Sequence, residues 1–134
     1  SLGHLVEWIQ GLISMFNNPF GVGLGMSGNA YGIDQTIKIS GENQFLIYGV
    51  QMGILSLILY LMILFYGIKH AMIVYFQSKD FQKKSLAFIV TLTKIGLLVP
   101  LFTANAELYI FVSLFSWFLI GQAETFYIKL KNSV

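Results

Sequence analysis

Cysteine is absent from this chain, which excludes disulfides and thiolate metal sites. Arginine is absent as well: all eight cations are lysines. Charge of either sign is scarce, at 10% of residues against about a quarter in soluble domains. So few charges cannot clothe 134 residues in a hydrated shell, so the chain reads as an integral membrane protein. A net charge of +2, with lysines in no stripe, excludes nucleic acid as a partner. His4 and His70 are far apart, and no H-x-x-x-H or D-x-D spacing occurs, so neither a metal nor a cofactor is expected. Nor is there an internal repeat of the kind transporters carry. What remains is 56% hydrophobic and 16% aromatic, with mean hydropathy +0.72.

Residues 4–16 place Leu5, Trp8, Ile9, Leu12, Ile13 and Phe16 at helical spacing, with Glu7, Gln10 and Ser14 largely opposite. A helix of that length is too short to cross, so an amphipathic helix in the membrane interface is expected. Pro19 stops it by pushing its predecessor out of the helical region. Gly21, Gly23, Gly25, Gly28 and Gly32 then mark a loop, followed by the polar residues Asp34, Gln35, Thr36 and Lys38 and the possibility of a strand at 36–39. From Asn43 to Ile68 no side chain is charged, a run long enough to cross hydrocarbon as a helix.

Two further spans are expected at about 86–103, interrupted by Lys94, Gly96 and Pro100, and at about 107–127. The fold class is therefore all-α integral membrane, with an extracytoplasmic part over 1–43 and a transmembrane part over 44–134. Lys69, Lys79, Lys83, Lys84, Lys129 and Lys131 put their ends of the spans in the cytoplasm by the positive-inside rule. The loop 1–43 and the turn at 103–106 then face outward. An opening Ser1-Leu2-Gly3-His4, with neither Met nor signal peptide, suggests the C-terminal piece of a larger protein.

Several residues carry candidate chemistry. Gly23 to Gly28 matches G-x-G-x-x-G but lacks the flanking strand and helix of a nucleotide site. These glycines fit close backbone approach to a ligand or a neighbouring helix, or simply a tight turn. Glu42, at the mouth of the first span, is either a dipole-favoured carboxylate at a helix start or a general base for a sugar hydroxyl. Asn43, Gln44 and Tyr48 add donors and acceptors on the same turns. Lys94 lies in mid-span, where a cation is costly. It either meets a phosphate or carboxylate in a polar cavity or snorkels from a kinked helix. Glu107 reads as an outward helix-start residue that could also line such a cavity.

Taken in order, Ser1-Leu2-Gly3-His4 with Trp8, Asn18-Pro19-Phe20-Gly21-Val22-Gly23-Leu24-Gly25, Gly41-Glu42-Asn43-Gln44-Phe45-Leu46, and Gly53 with Leu57 to Leu61 resemble the C-terminal part of the O-antigen ligase and polymerase superfamily. The motifs cover residues 1–70, and hydropathy alone extends the likeness further. The resemblance implies a multi-helix, GT-C-like glycosyltransferase of the bacterial inner membrane, with the loop 1–43 periplasmic. It implies metal-independent, inverting transfer from a polyprenyl-diphosphate-linked glycan to a glycan acceptor, in O-antigen or capsule synthesis. Glu42 would be the catalytic base. His4, Lys38, Asn43, Gln44 and Lys94 would bind substrate, and Pro19, Gly21, Gly23 and Gly25 would shape the loop.

Ligases have a histidine near the position of Glu42, so the carboxylate leans towards a polymerase, with ligation to lipid A core as the alternative. The family often has arginine where His4 stands, and histidine grips phosphate less well. Lys38 or Lys94, or residues upstream of this piece, would replace that charge. A rival from another class is a transporter or scaffold fragment, and the isolated chain is expected to be inactive if half of its active site lies upstream.

Overall fold

The computed structural model describes residues 2–25, 43–104 and 106–132, with the backbone alone at 2–4 and 108. The elements are α1 (Leu2–Asn17), α2 (Gln44–Gln77), α3 (Phe81–Thr103), a 3-10 turn (Ala106–Leu108) and α4 (Ile110–Lys131). No strand occurs among the described residues; the possible strand at 36–39 lies outside them. The described residues are all-helical, and α2, α3 and α4 are each long and apolar enough to cross a membrane, which is compatible with the expected multi-pass architecture.

The element boundaries differ from the sequence expectation in instructive ways. α2 does not end at Ile68 but continues through Lys69 and His70 to Gln77. α3 starts at Phe81 instead of Leu86, which shrinks the polar linker to Ser78, Lys79 and Asp80. The cause is local. Asp80 Oδ1 accepts the backbone N–H of Gln82 at 2.9 Å and of Lys83 at 3.5 Å, and Ser78 Oγ accepts the N–H of Asp80 at 3.2 Å. An aspartate at this position satisfies two of the orphan donors of a helix start, so the following lysines enter the helix. α4 starts at Ile110, with Glu107 in the preceding 3-10 turn, and runs past Gly121 and Tyr127. Its last turn carries Lys129 and Lys131, favourably placed against the helix dipole.

The chain divides into two compact units, Ser1–Leu61 with Pro100–Asn105, and Met62–Val99 with Ala106–Val134. In the first, buried Met15 and Val50 pack with Val22, Ile54 and Leu57. A chain of ring contacts joins Trp8 to Phe102 (6.3 Å between centroids), Phe102 to Phe45 (5.1 Å), Phe45 to Tyr60 (6.0 Å) and Tyr60 to Tyr48 (4.7 Å). α1 turns Gly11 and Met15 inward, while Leu5, Ile9, Leu12, Ile13 and Phe16 remain exposed. Apart from Trp8, which meets Phe102, its apolar stripe is thus largely exposed, the form that suits a helix lying on hydrocarbon.

In the second unit, Ala71 of α2, Val90 of α3 and Leu119, Ile120 and Ala123 of α4 form the core. Lipid tails are as apolar as leucine, so close packing between helices counts for more here than removal from water. Gly67 shows it: a Cβ at that position would stand 3.1 Å from Ile120 Cδ1.

The carboxyl of Asp80, with its accepted backbone hydrogen bonds as the main cause, titrates below the usual aspartate value. A group depressed on folding stabilises above its unfolded pKa and loses that contribution as pH falls through the folded one. Asp80→Ala is therefore expected to lower the thermal midpoint at pH 7, with the gap to wild type shrinking as pH falls below about 4. A gap independent of pH in thermal unfolding would contradict the cap.

Candidate functional site at the broken helix

The run from Asn43 to Ile68 forms two helices, not one crossing helix. Gly53 has φ 87° and ψ 170°, a conformation essentially reserved for glycine, and α2 breaks there. The ring contacts show how sharply. Tyr48 and Tyr60 would be about 18 Å apart along a straight helix. Their ring centroids are 4.7 Å apart. Phe45 also reaches Tyr60, and a Cβ on Gly49 would lie 3.3 Å from Leu57 Cδ2. Each of these pairs is roughly symmetric about Gly53, so residues 44–52 fold back along the start of 54–77 as a helical hairpin. The first arm is about 14 Å long and cannot cross a bilayer, whereas the second, at about 36 Å, can.

Breaking a helix frees backbone groups, and in a membrane segment they need new partners. The loop after α1 supplies them. Val22 N–H donates to Val50 C=O at 2.9 Å and Gly23 N–H to Gln51 C=O at 3.1 Å, while Ile54 N–H donates to Pro19 C=O at 3.0 Å. In an unbroken helix Ile54 N–H would have bonded to Val50 C=O. The loop therefore takes over both halves of that lost bond. Ser56 Oγ donates across the break to Met52 C=O at 2.9 Å.

Contact this close requires two glycines. A Cβ on Gly21 (φ 86°) would run into the carbonyl of Gln51 and lie 2.7 Å from Gly53 N; a Cβ on Gly53 would strike the carbonyl of Pro19 and lie 2.7 Å from Phe20 C. Of the glycines singled out in the sequence, Gly21 is thus committed to a neighbouring helix. Gly23 (φ 110°) and Gly25 (φ 77°) also have left-handed backbone. The remainder of the G-x-G-x-x-G match lies outside the described residues.

Glu42 and Lys38 lie outside the described residues, and of His4 only the helical backbone is described. Asn43 and Gln44 open the short arm. Asn43 is the N-cap: its Oδ1 accepts Leu46 N–H at 3.1 Å and its C=O accepts Ile47 N–H at 3.0 Å. Its side-chain oxygen is thus engaged in starting the helix. Gln44 is 1% exposed, and its Oε1 has no hydrogen-bond partner in the structure. Such a buried acceptor costs about 1–3 kcal/mol unless a donor arrives. In chain order Glu42 immediately precedes these two side chains.

Lys94 belongs to the second unit, and the structure chooses between its two sequence readings. It does not snorkel. Its Nζ is 3.8 Å from Glu107 Oε1, both side chains being 2% exposed. It donates to Ser116 Oγ at 3.1 Å and sits 4.0 Å from the centre of the Trp117 ring. Ser116 Oγ–H in turn donates to Ser113 C=O at 3.2 Å. Glu107, read as an outward helix-start residue that could also line a cavity, lies in the 3-10 turn before α4 and is buried beside Lys94 as its counter-ion. Ser116 and Trp117 were not singled out in the sequence, since neither residue type is unusual in a span. The available signal was one cation and one anion, each at a depth where it needs a partner.

Among the described residues no three metal-binding side chains are gathered. No protein-family model, curated protein or solved structure matches this chain.

Two outcomes are expected. Gly53→Ala or Gly21→Ala should each cost about 1–3 kcal/mol from backbone strain alone, before any clash is counted. Thermal unfolding in detergent measures it, and an unaffected midpoint in both variants would contradict the clamp. Lys94→Met or Glu107→Gln alone should destabilise by about 3–5 kcal/mol, whereas replacing both by apolar residues should recover most of the loss. Additive losses in the double variant would contradict the pairing.

Proposed function

We propose that this chain is part of a membrane glycosyltransferase of bacterial surface-polysaccharide synthesis, acting on polyprenyl-diphosphate-linked glycans at the periplasmic face of the inner membrane. One observation carries the proposal. The separated residues that make the family resemblance, Pro19-Phe20-Gly21-Val22-Gly23 and Gly53, are in backbone contact. Their spacing in sequence has a structural reason, a loop clamped onto a broken helix. Irregular backbone at such a place is tolerated where it is buried in protein or lines a cavity.

In the reaction proposed, an acceptor hydroxyl attacks the anomeric carbon of the donor sugar. The bond from that carbon to the polyprenyl diphosphate breaks with inversion, and the diphosphate departs with the bonding electrons. Glu42 takes the hydroxyl proton. The Gln44 amide oxygen, buried and unpartnered beside the Asn43 cap, suits a second sugar hydroxyl as donor. Lysine in place of the family's arginine would neutralise the leaving group as a point charge, with Lys38 the candidate. Lys94 is withdrawn from that role, because Glu107 and Ser116 already hold it. Both substrates are anchored in the bilayer, so their reacting ends meet with little search.

A second reading has its own support. Discontinuous helices and buried ionisable pairs are also features of transporters, and both occur here. The two readings separate in one experiment on the full-length protein. Glu42→Gln should abolish long-chain polymer while membrane insertion is retained, and lipid-linked single repeats should accumulate. Accumulation of long chains instead would indicate ligation. Wild-type chain lengths in the variant would remove Glu42 from the mechanism.

A further inference from the structure

The lysines outside the buried pair are unevenly placed. Lys79 lies in the linker after α2, Lys83 and Lys84 in the first turn of α3, and Lys129 and Lys131 in the last turn of α4. Against these five, residues 77–84 and 125–132 contain one carboxylate, Asp80. The nearest other acid on α4, Glu124, is engaged by His70, whose Nδ1 is 2.7 Å from its Oε2.

Within the second unit, Val74, Ser78, Lys83, Phe126, Lys129 and Leu130 line a cleft of about 170 Å³. That is about six water volumes, room for a phosphodiester group and its linking carbons. Two ammonium groups and a hydroxyl share the cleft with a wall of valine, phenylalanine and leucine. Ser78 is 8% exposed, and its Oγ accepts the N–H of Asp80, which leaves the hydroxyl proton to donate. Lys83 Nζ lies 3.5 Å from Asp80 Oδ2 and 6.0 Å from the centre of the Phe126 ring, with its side chain 41% exposed. Asp80 is one carboxylate against five lysines in these segments, so it neutralises only part of this positive field.

We propose that this cleft seats the phosphate of an anionic membrane phospholipid, held between Lys83 and Lys129 with Ser78 donating, its acyl chains running along the apolar outward face of α4. Charge complementarity selects the headgroup, and the position at the end of membrane-crossing helices selects a lipid over a soluble phosphate. Phe76 and Phe81, both highly exposed beside the linker, supply the aromatic side chains typical of the headgroup level. The site is distinct from the broken helix and does not depend on the glycosyltransferase proposal.

The test uses the whole chain in a neutral detergent, titrated with phosphatidylglycerol, with phosphatidylcholine of the same acyl chains, or with inorganic phosphate. Phosphatidylglycerol should raise the thermal midpoint saturably, and the other two should not. The K83Q/K129Q variant should need about tenfold more phosphatidylglycerol or lose the response, since each lysine near an anionic headgroup contributes measurably. K83R/K129R should keep the response and shows that the fold tolerates change there. Lys69→Gln, a lysine outside the cleft, should also keep it. An equal response to phosphatidylcholine or to inorganic phosphate, an undiminished response in K83Q/K129Q, or an equal loss in Lys69→Gln would overturn the proposal.

Discussion

The exchange of backbone hydrogen bonds between the loop after α1 and the break in α2 is the constraint on which the first unit depends. A break in a helix inside hydrocarbon leaves carbonyl and amide groups with no water to turn to, at several kcal/mol for each group left unpaired. Val22, Gly23 and Pro19 meet that demand in one place. The glycines follow from it: the loop must approach the backbone of α2 so closely that no side chain fits at Gly21 or Gly53. The aromatic contacts follow as well, because Tyr48 and Phe45 can meet Tyr60 only if the helix doubles back. What results is a short, buried helix start capped by Asn43, with the unpartnered oxygen of Gln44 next to it.

The second unit answers a related demand by other means. Several of its polar side chains inside the spans find partners there. Lys94 meets Glu107, Ser116 and the face of Trp117. Thr91 and Thr125 turn their hydroxyls back to the carbonyls of Ala87 and Gly121, four residues earlier. His70 stacks on Tyr127 with ring centroids 3.8 Å apart and meets Glu124. Pairing of this kind makes one partner's removal far more damaging than replacement of both.

Much of the architecture was legible in the sequence because hydropathy and the hydrocarbon thickness leave few choices. Three apolar stretches became three helices of sufficient length, and Pro19 ended α1 close to the expected point. The boundaries moved where a single side chain decided them, as Asp80 did for α3. The fold-back at Gly53 was not legible, because a glycine in an apolar run equally suits tight packing of a straight helix. Only the distant loop, which donates to Val50 and Gln51, distinguishes the two. Lys94 was recognised as needing a partner, but its choice of Glu107 depends on a turn whose geometry no local pattern encodes. The candidate site was half legible: the glycines and Asn43 have clear structural reasons, while Glu42 and Lys38 fall outside the described residues.

The central claim is that α2 doubles back on itself at Gly53, and the absence of cysteine makes it directly measurable. Cysteines introduced together at Tyr48 and Tyr60 should be joined within one chain by a short bifunctional maleimide, detected by mass spectrometry of the membrane-inserted protein. A straight helix would hold the two positions about 18 Å apart. Efficient linking at these positions, and its loss when Gly53 is also replaced by alanine, is the result expected. No linking in the otherwise intact protein would show that the helix runs straight through.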